Sequence, residues 1–266
     1  MTTLASSTAF VPRPLAPFTE EGVFIRRALL HSLRNTESAV MAIMLPVMLM
    51  LLFTFVFGGA IDGSGDYVDY VVPGIILLCA GFGAAATAVS VSQDMTTGII
   101  DRFRTMPIRA SAVLTGHIVA SLVRNLIATG VVIGVALLVG FRPNGGVVDW
   151  IAAIALVALY ILAITSLFAA VGLAASNAEA ASGYGFILLF LPYLSSAFVP
   201  VETMPAWLQW FAAHQPVTPL VETIRALLLG GDASTRWPTA VAWSVGIIVA
   251  ASIWGALLFR RKAGRR

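Results

Sequence analysis

The sequence has few charged residues. Asp, Glu, Lys and Arg make up 11% of its 266 residues, whereas hydrophobic residues make up 59%. Soluble globular domains carry about 25% charged residues, so this composition lies outside the soluble class. It predicts an integral membrane protein.

Cysteine, lysine and histidine are also scarce, and each shortage excludes a kind of chemistry. The single cysteine, Cys79, cannot form a disulfide within the chain. The single lysine, Lys262, is followed by alanine, so the chain has no P-loop motif G-x-x-x-x-G-K-[ST], whose lysine reaches the nucleotide phosphates. The three histidines are scattered, and no zinc H-E-x-x-H or nucleophile G-x-S-x-G motif occurs. We therefore predict no catalytic residue, metal site, cofactor or ATPase site in this chain.

Long apolar runs fill most of the chain. A run of about 18 or more apolar residues predicts a membrane-spanning helix, because a helix of that length crosses the hydrocarbon core. We count six such runs, of which the fifth is short and interrupted by Pro192. The predicted fold is an all-α integral membrane protein with six transmembrane helices. The runs are 39–58, 70–92, 112–140, 150–175, 182–199 and 239–259. The second run is rich in small residues that suit close helix contact: Gly81, Gly83, Ala84, Ala85, Ala86 and Ala88.

The distribution of arginine and lysine predicts the orientation in the membrane. Twelve of the 16 residues of these two types lie in the N-terminal segment, in the segment after the second run and in the C-terminal tail. Basic residues mark the cytoplasmic side of a membrane protein. We therefore predict that both termini and the segment after the second run are cytoplasmic.

The sequence divides into four parts around these runs. Residues 1–17 are rich in Ser, Thr and Pro and are predicted to be disordered. Residues 18–37 place apolar side chains on one helical face and arginines elsewhere. That pattern predicts an amphipathic helix along the inner leaflet, or one that leads into the first span without lying on lipid. Residues 38–259 form the membrane domain, and residues 260–266 form a basic tail.

Residues 200–237, between the fifth and sixth runs, predict two short amphipathic helices on the outer side. The second is predicted to begin at Pro219 and to end at a pair of glycines. Tryptophan favours the membrane interface. We therefore predict that these helices are re-entrant and dip into the membrane or cap a cavity, with Trp207, Trp210 and Arg225 as their candidate residues. A packed outer loop without a transport role is the alternative.

Polar side chains inside membrane spans are costly and therefore informative. Arg124, followed by Asn125, lies well inside the third run. Arg124 can pair with Asp94 or Glu179, reach the inner headgroups, or take part in substrate passage or gating. The candidates for a substrate pathway are Met48, Phe53, Phe82, Arg124, Asn125 and Phe198.

Four stretches resemble ABC-2 type transporter permeases, specifically the actinobacterial drug-efflux permeases related to the daunorubicin/doxorubicin-resistance permease. They are GIIDRFRTMPIRASAVLTGH, LVRNLIATGVVIGVALLVGFRP, FVPVETMPAWLQWFAAHQPVTPLVETIRALLLGG, and the closing span with its arginine-rich tail. The resemblance covers roughly residues 18–262. It implies a bacterial plasma (inner) membrane location and a pathway formed with a second permease, identical or homologous. It also implies two separate P-loop ATPase subunits that bind ATP and Mg, and no nucleic-acid partner.

The resemblance also implies a role for the charged segment 94–109, between spans two and three. In such families this segment contains a coupling helix that docks in a groove of the ATPase. A short helix can begin at Thr97 or Gly98 and end before Pro107. Its apolar ridge, formed by Ile99, Phe103 and Met106, would dock, and Arg102 and Arg104 would pair with acids of the partner. An interfacial helix held by anionic headgroups is the alternative. The candidate coupling residues are Asp94, Gly98, Ile99, Asp101, Arg102, Phe103, Arg104, Met106 and Pro107.

These observations favour ATP-driven outward transport of a hydrophobic or amphipathic small molecule, such as a drug, secondary metabolite or lipid, by alternating access. Export of a polysaccharide or glycolipid is the alternative within the same class. A secondary transporter without an ATPase needs acids inside its spans, and the acids here lie in loops or at span ends. A membrane partner that transports nothing is a third hypothesis.

Overall fold

A computed structural model describes residues 36–61, 67–96 and 110–263, and the regular structure in these ranges is helical. The predicted amphipathic helix 18–37 lies outside the described residues except for its last two positions. Of the predicted coupling segment, only Asp94 to Thr96 are described, as the end of a helix.

The first helix, α1, consists of Thr36–Leu51, a π-helical turn Leu52–Phe57 and a final turn Gly58–Ile61. The helices that follow are α2 Tyr67–Thr96, α3 Ala110–Val139, α4 Val147–Ala174, α5 Ala178–Leu188, α6 Ala206–His214, α7 Val217–Leu229 and α8 Trp237–Ala263, with 3₁₀ turns at Leu191–Leu194 and Val201–Thr203. We call the end of the bundle where α2 ends and α3 begins the near end, and the end where α2 begins the far end.

Five helices in the described ranges are long and apolar enough to cross a membrane: α1, α2, α3, α4 and α8. They match five of the six predicted runs. The remaining run, 182–199, forms no continuous helix, because α5 ends at Leu188 and Pro192 has no N–H to extend it. The chain nevertheless continues beside α2 as far as Ala197, which touches Gly74. The total of six spans stays a prediction.

Helix α2 lies at the centre of the bundle. Every residue from Val71 to Ala80 is buried, and α1, α3, α4, α5 and α7 all pack against this helix. Close contact is confirmed at the predicted small residues, since Gly81 faces Leu189 and Ala88 faces Gly172. Helices without large side chains at their crossing can bring their backbones together, which favours association in a membrane.

Backbone hydrogen bonds join the loops at the far end. The amides of Asn144 and Gly145, in the loop between α3 and α4, both donate to the Leu228 carbonyl oxygen at 3.0 Å. Helix α7 ends at Leu229 and is capped by Gly230, whose φ of 75° suits glycine, as the predicted glycine stop requires. The predicted entry at Pro219 is wrong by two residues: α7 begins at Val217, and Pro219 sits in its first turn, where no helical partner for an N–H is needed.

The crossing of α2 and α4 gives a test of this packing. A Cβ at Gly172 would overlap the Ala88 carbonyl oxygen, and backbone cannot move aside as a side chain can. We expect Gly172→Ala to lower the free energy of unfolding by about 2 kcal/mol. The measurement is the thermal unfolding of the purified protein in detergent.

Gly134→Ala is the matched control, because no atom lies within 4 Å of a Cβ at this position of α3. We expect its effect to stay within about 0.5 kcal/mol. Equal stability of the two variants would contradict the backbone contact between α2 and α4.

Candidate functional site

Six aromatic rings form a continuous strip that connects α1 to the interrupted fifth run. Phe53, in the π-helical turn, stacks on Phe198 with ring centroids 4.4 Å apart. Phe198 in turn stacks on Tyr193 at 5.2 Å. Adjacent rings extend the strip in both directions. The aromatic strip consists of Phe57, Phe53, Phe198, Tyr193, Phe190 and Phe186.

Two irregular segments place these rings. The π-helical turn Leu52–Phe57 interrupts α1, and π turns inside α-helices frequently occur at functional sites. The break after α5 replaces a helix with the 3₁₀ turn Leu191–Leu194, which carries Tyr193. Phe53 of the first interruption and Phe198, which follows the second, stack on each other, so the strip joins the two interruptions.

The strip is buried at its centre and exposed at both ends. Phe198 is buried, whereas Phe57 at one end is 44% exposed. At the other end, Phe186 and Phe190 are 62% and 49% exposed. Helix α1 also exposes a row of apolar side chains that includes Met48. Exposure alone does not distinguish this face, because α8 also exposes apolar side chains, as any helix that faces lipid would. What distinguishes it is the concentration of aromatic rings.

A cluster of polar groups at the far end holds the backbone next to Phe198. The Tyr67 hydroxyl donates to the Phe198 carbonyl oxygen at 2.7 Å, and the Tyr70 hydroxyl donates to that of Ser196 at 3.0 Å. Arg225 donates to the carbonyl oxygens of Tyr70 and Ser196 at 3.0 and 2.8 Å. We call Tyr67, Tyr70, Ser196 and Arg225 the far-end cluster.

The guanidinium of Arg225 also lies over an aromatic ring. Its Cζ atom is 3.8 Å from the centroid of the Tyr70 ring, a cation–π contact. Burial lowers the pKa of Arg225, and the neighbouring Tyr70 and Glu222 oppose that shift. An arginine pKa starts far above neutrality, so the side chain is a cation that joins α7, α2 and the broken fifth run.

Arg124 and Asn125 lie where α3 crosses α2. The Arg124 guanidinium donates to the Gly83 carbonyl oxygen at 2.8 Å. The Asn125 amide donates to the Ser121 hydroxyl at 3.1 Å, and Asn125 fills the space that a side chain at position 83 would need. Asp94, one of the two acids that the sequence offers to Arg124, is hydrogen-bonded to His117.

The structure brings together only some of the residues that the sequence singles out. Phe53 and Phe198 meet in the aromatic strip, whereas Phe82 packs against two hydrophobic clusters of the interior. Trp207 and Trp210 are 79% and 71% exposed on α6. The candidate coupling residues from Gly98 to Pro107 lie outside the described ranges.

A cavity of about 360 Å³ lies among α3, α4 and α8 and contains no residue of the aromatic strip. We therefore do not assign it to transport. Its lining is mostly small and apolar: Leu114, Thr115, Ile118, Ser166, Ala169, Ala170, Leu173, Ala251, Ser252, Gly255 and Ala256.

Sequence reasoning missed most of the polar partners. Tyr67 and Tyr70 are three residues apart at the start of α2, which places them on one helical face. His117, Ser121 and Asn125 recur every four residues in an apolar run, which also marks one face. These spacings were visible in the sequence, but nothing in it shows which carbonyl or hydroxyl group each face meets.

Comparison with known proteins identifies the family. The sequence model of the family described as ABC-2 type transporter matches residues 19–229, most of the chain. The chain belongs to the ABC-2 type transporter family. The predicted resemblance to ABC-2 type transporter permeases is thereby confirmed.

Two relatives of this ABC-2 protein show a narrower likeness. A daunorubicin resistance ABC transporter permease protein of Streptomyces coeruleorubidus is 31% identical over 212 residues, which cover 79% of this chain and 72% of the relative. A probable doxorubicin resistance ABC transporter permease protein of Mycobacterium tuberculosis is 26% identical over 239 residues, 88% of this chain and 86% of the relative. The chain is an ABC-2 permease of a drug-resistance transporter family and a multi-pass membrane protein.

The far-end cluster of this permease can be tested at Arg225. Lysine cannot reproduce a planar guanidinium that donates to two carbonyl oxygens and stacks on a ring. We expect Arg225→Lys to reduce the free energy of unfolding by about 2 kcal/mol, because buried acceptors lose their donors. Thermal unfolding in detergent measures the change.

Arg236→Lys provides the comparison. Arg236 pairs with Glu222 of α7 at 3.0 Å but is exposed, and exposed pairs contribute about 0–1 kcal/mol. A similar small effect from both substitutions would show that Arg225 does not hold the far end together.

Proposed function

We propose that this permease moves a hydrophobic or amphipathic small molecule, such as a drug or secondary metabolite, out of the cell. The observation that carries the proposal is the aromatic strip. Aromatic side chains offer large apolar faces and favour offset stacking with other rings. A partly exposed series of such rings suits an apolar or flat substrate better than a small polar one.

A second permease, identical or homologous, completes the pathway in this proposal. The exposed ends of the strip lie on α1 and α5, so a partner placed against these two helices would enclose the rings between two chains. Pockets that bind drug-sized ligands bury most of the ligand surface, which one open face cannot do. Closure and opening of this seam would give alternating access to the two sides of the membrane.

Energy for transport comes, in this proposal, from two separate ATPase subunits that bind ATP and Mg. The sequence has no P-loop lysine. The acids of the described spanning helices lie in their terminal turns, at Glu37, Asp69, Asp94 and Asp149. The middle of these helices therefore offers no carboxylate for proton coupling. We propose that the segment 94–109 docks on an ATPase subunit at the cytoplasmic side, which is then the near end.

The far end is the outer side in the same proposal. Trp207 and Trp210 are exposed on α6, and indole rings favour the headgroup region. We propose that α6 and α7 are the outer helices of the transporter, with α6 at the lipid interface. We also propose that the segment 18–37 is the amphipathic helix predicted from the sequence and that it lies along the inner leaflet.

The role of the strip is tested by Phe53→Ala combined with Phe198→Ala. The assay uses the permease co-expressed with its ATPase subunits in membrane vesicles, with daunorubicin as the probe. We expect ATP-dependent transport to fall about tenfold, because each lost stacking contact contributes about 1 kcal/mol.

Trp254→Ala is the matched control, since Trp254 is an exposed aromatic residue of α8, remote from the strip in sequence. Its transport should stay close to that of the unaltered protein. Equal losses in both variants would contradict a specific role for the strip. Transport of an undecaprenyl-linked sugar in place of daunorubicin would support the polysaccharide or glycolipid alternative.

The coupling segment is tested by Phe103→Asp combined with Arg102→Glu. Phe103 belongs to the predicted apolar ridge and Arg102 to its pairing charges, so the double change should abolish docking. We expect stimulation of the ATPase and drug transport to fall at least about tenfold, as for the loss of a central interface residue. Retention of both activities in vesicles that contain the ATPase subunits would overturn the coupling assignment.

A further inference from the structure

One side-chain contact joins the two helices that flank the predicted coupling segment. Asp94 lies in the last turn of α2, and His117 lies near the start of α3. The His117 Nε2 atom is 2.9 Å from the Asp94 Oδ2 atom, so the imidazole N–H donates to the carboxylate. Both side chains are about one-fifth exposed, 21% for Asp94 and 19% for His117. The contact is therefore largely sheltered from solvent.

Further polar contacts continue along the same crossing of α2 and α3. The Thr87 hydroxyl donates to the Ser121 hydroxyl at 3.0 Å. Deeper still, the Arg124 guanidinium donates to the Gly83 carbonyl oxygen at 2.8 Å. Together with Asp94 and His117, these contacts form three levels that run from the near end into the middle of the bundle.

The middle level also reaches α4. The Thr165 hydroxyl lies 3.4 Å from the Ser121 hydroxyl, and both residues are buried. Polar groups enclosed by apolar surroundings are costly to separate from their partners. Slippage of α3 along α2 would have to break every level at once, so the contacts favour movement of α2 and α3 as one body.

We propose that Asp94 and His117 are positioning residues that fix the spacing of α2 and α3 at the ends of the coupling segment. The inference rests on the proposed function, in which an ATPase subunit displaces that segment. A displacement applied between two helices that are tied together moves both as a rigid body. Without the hydrogen bond between Asp94 and His117, the ends of α2 and α3 would separate. Part of the displacement of the coupling segment would then be lost before it reaches the aromatic strip.

The test is a double-mutant cycle in the full complex with its ATPase subunits, reconstituted in liposomes. The readouts are ATP hydrolysis, daunorubicin transport and their ratio. We expect Asp94→Ala and His117→Ala each to reduce drug transported per ATP about fivefold, the range of one hydrogen bond. The double variant should be no worse than either single variant, because both remove the same contact.

Two further variants separate positioning from simple loss of structure. Asp94→Asn keeps an oxygen that can accept from the imidazole, so it should retain transport per ATP within about twofold. Ser90→Ala is the control one turn away on α2, since the Ser90 hydroxyl donates within its own helix to the Ala86 carbonyl oxygen. It should leave the ratio unchanged. Thermal unfolding of each purified permease shows whether the variants fold.

The possible failures are distinguishable. Absence of ATP-dependent transport in the unaltered complex would overturn the proposed function. Full transport per ATP in both alanine variants would overturn only the positioning role. A loss in Asp94→Ala without one in His117→Ala would also overturn it, because Asp94 would then act on the ATPase directly. An additive loss in the double variant would lead to the same conclusion.

Discussion

The interruption of the fifth apolar run is the constraint on which the rest of the far end depends. Inside a membrane, a backbone carbonyl group released from a helix must find a donor within the protein. The carbonyl oxygens of Ser196 and Phe198 find theirs in Tyr67, Tyr70 and Arg225. These donors lie on α2 and α7, so satisfying the broken segment also docks α7 onto the bundle. The same bonds fix the backbone of Phe198, whose ring stacks on Phe53.

Helix α2 connects the far end to the rest of the protein. Its far end supplies the tyrosines, its middle supplies the small residues that admit α4 and α5, and its near end supplies Asp94. The polar contacts with α3 begin only past its middle, at Gly83. The helix thus has a hydrogen-bonded far end, an apolar, tightly packed stretch from Val71 to Ala80, and a hydrogen-bonded half next to the coupling segment. That division suits a helix proposed to carry movement from one end to the other.

The sequence was sufficient to predict the elements that depend on local rules. Apolar run length predicts five of the long helices, Pro192 predicts the break, and the glycine pair predicts the end of α7. It also singled out Phe53 and Phe198. It did not predict that their rings meet, because the two residues are far apart in the sequence and nothing in either stretch shows which side chains it contacts. The sequence likewise did not predict the partners of Arg225, because these are backbone carbonyl oxygens, which every residue has.

Arg124 and Arg225 show why burial of a charge does not by itself indicate a substrate site. Both are cations that donate to backbone carbonyl oxygens of α2, Arg124 at Gly83 and Arg225 at Tyr70. A carbonyl group within a regular helix already accepts a bond from its own helix but has a second lone pair. An arginine can therefore join two helices without breaking either one. In this permease one arginine contacts α2 at its far end and the other near its middle, so their contacts resist separation of its neighbours at two levels. Both arginines are already occupied by contacts within the bundle. The exposed rings of the aromatic strip are instead the groups proposed to contact a substrate and a second chain.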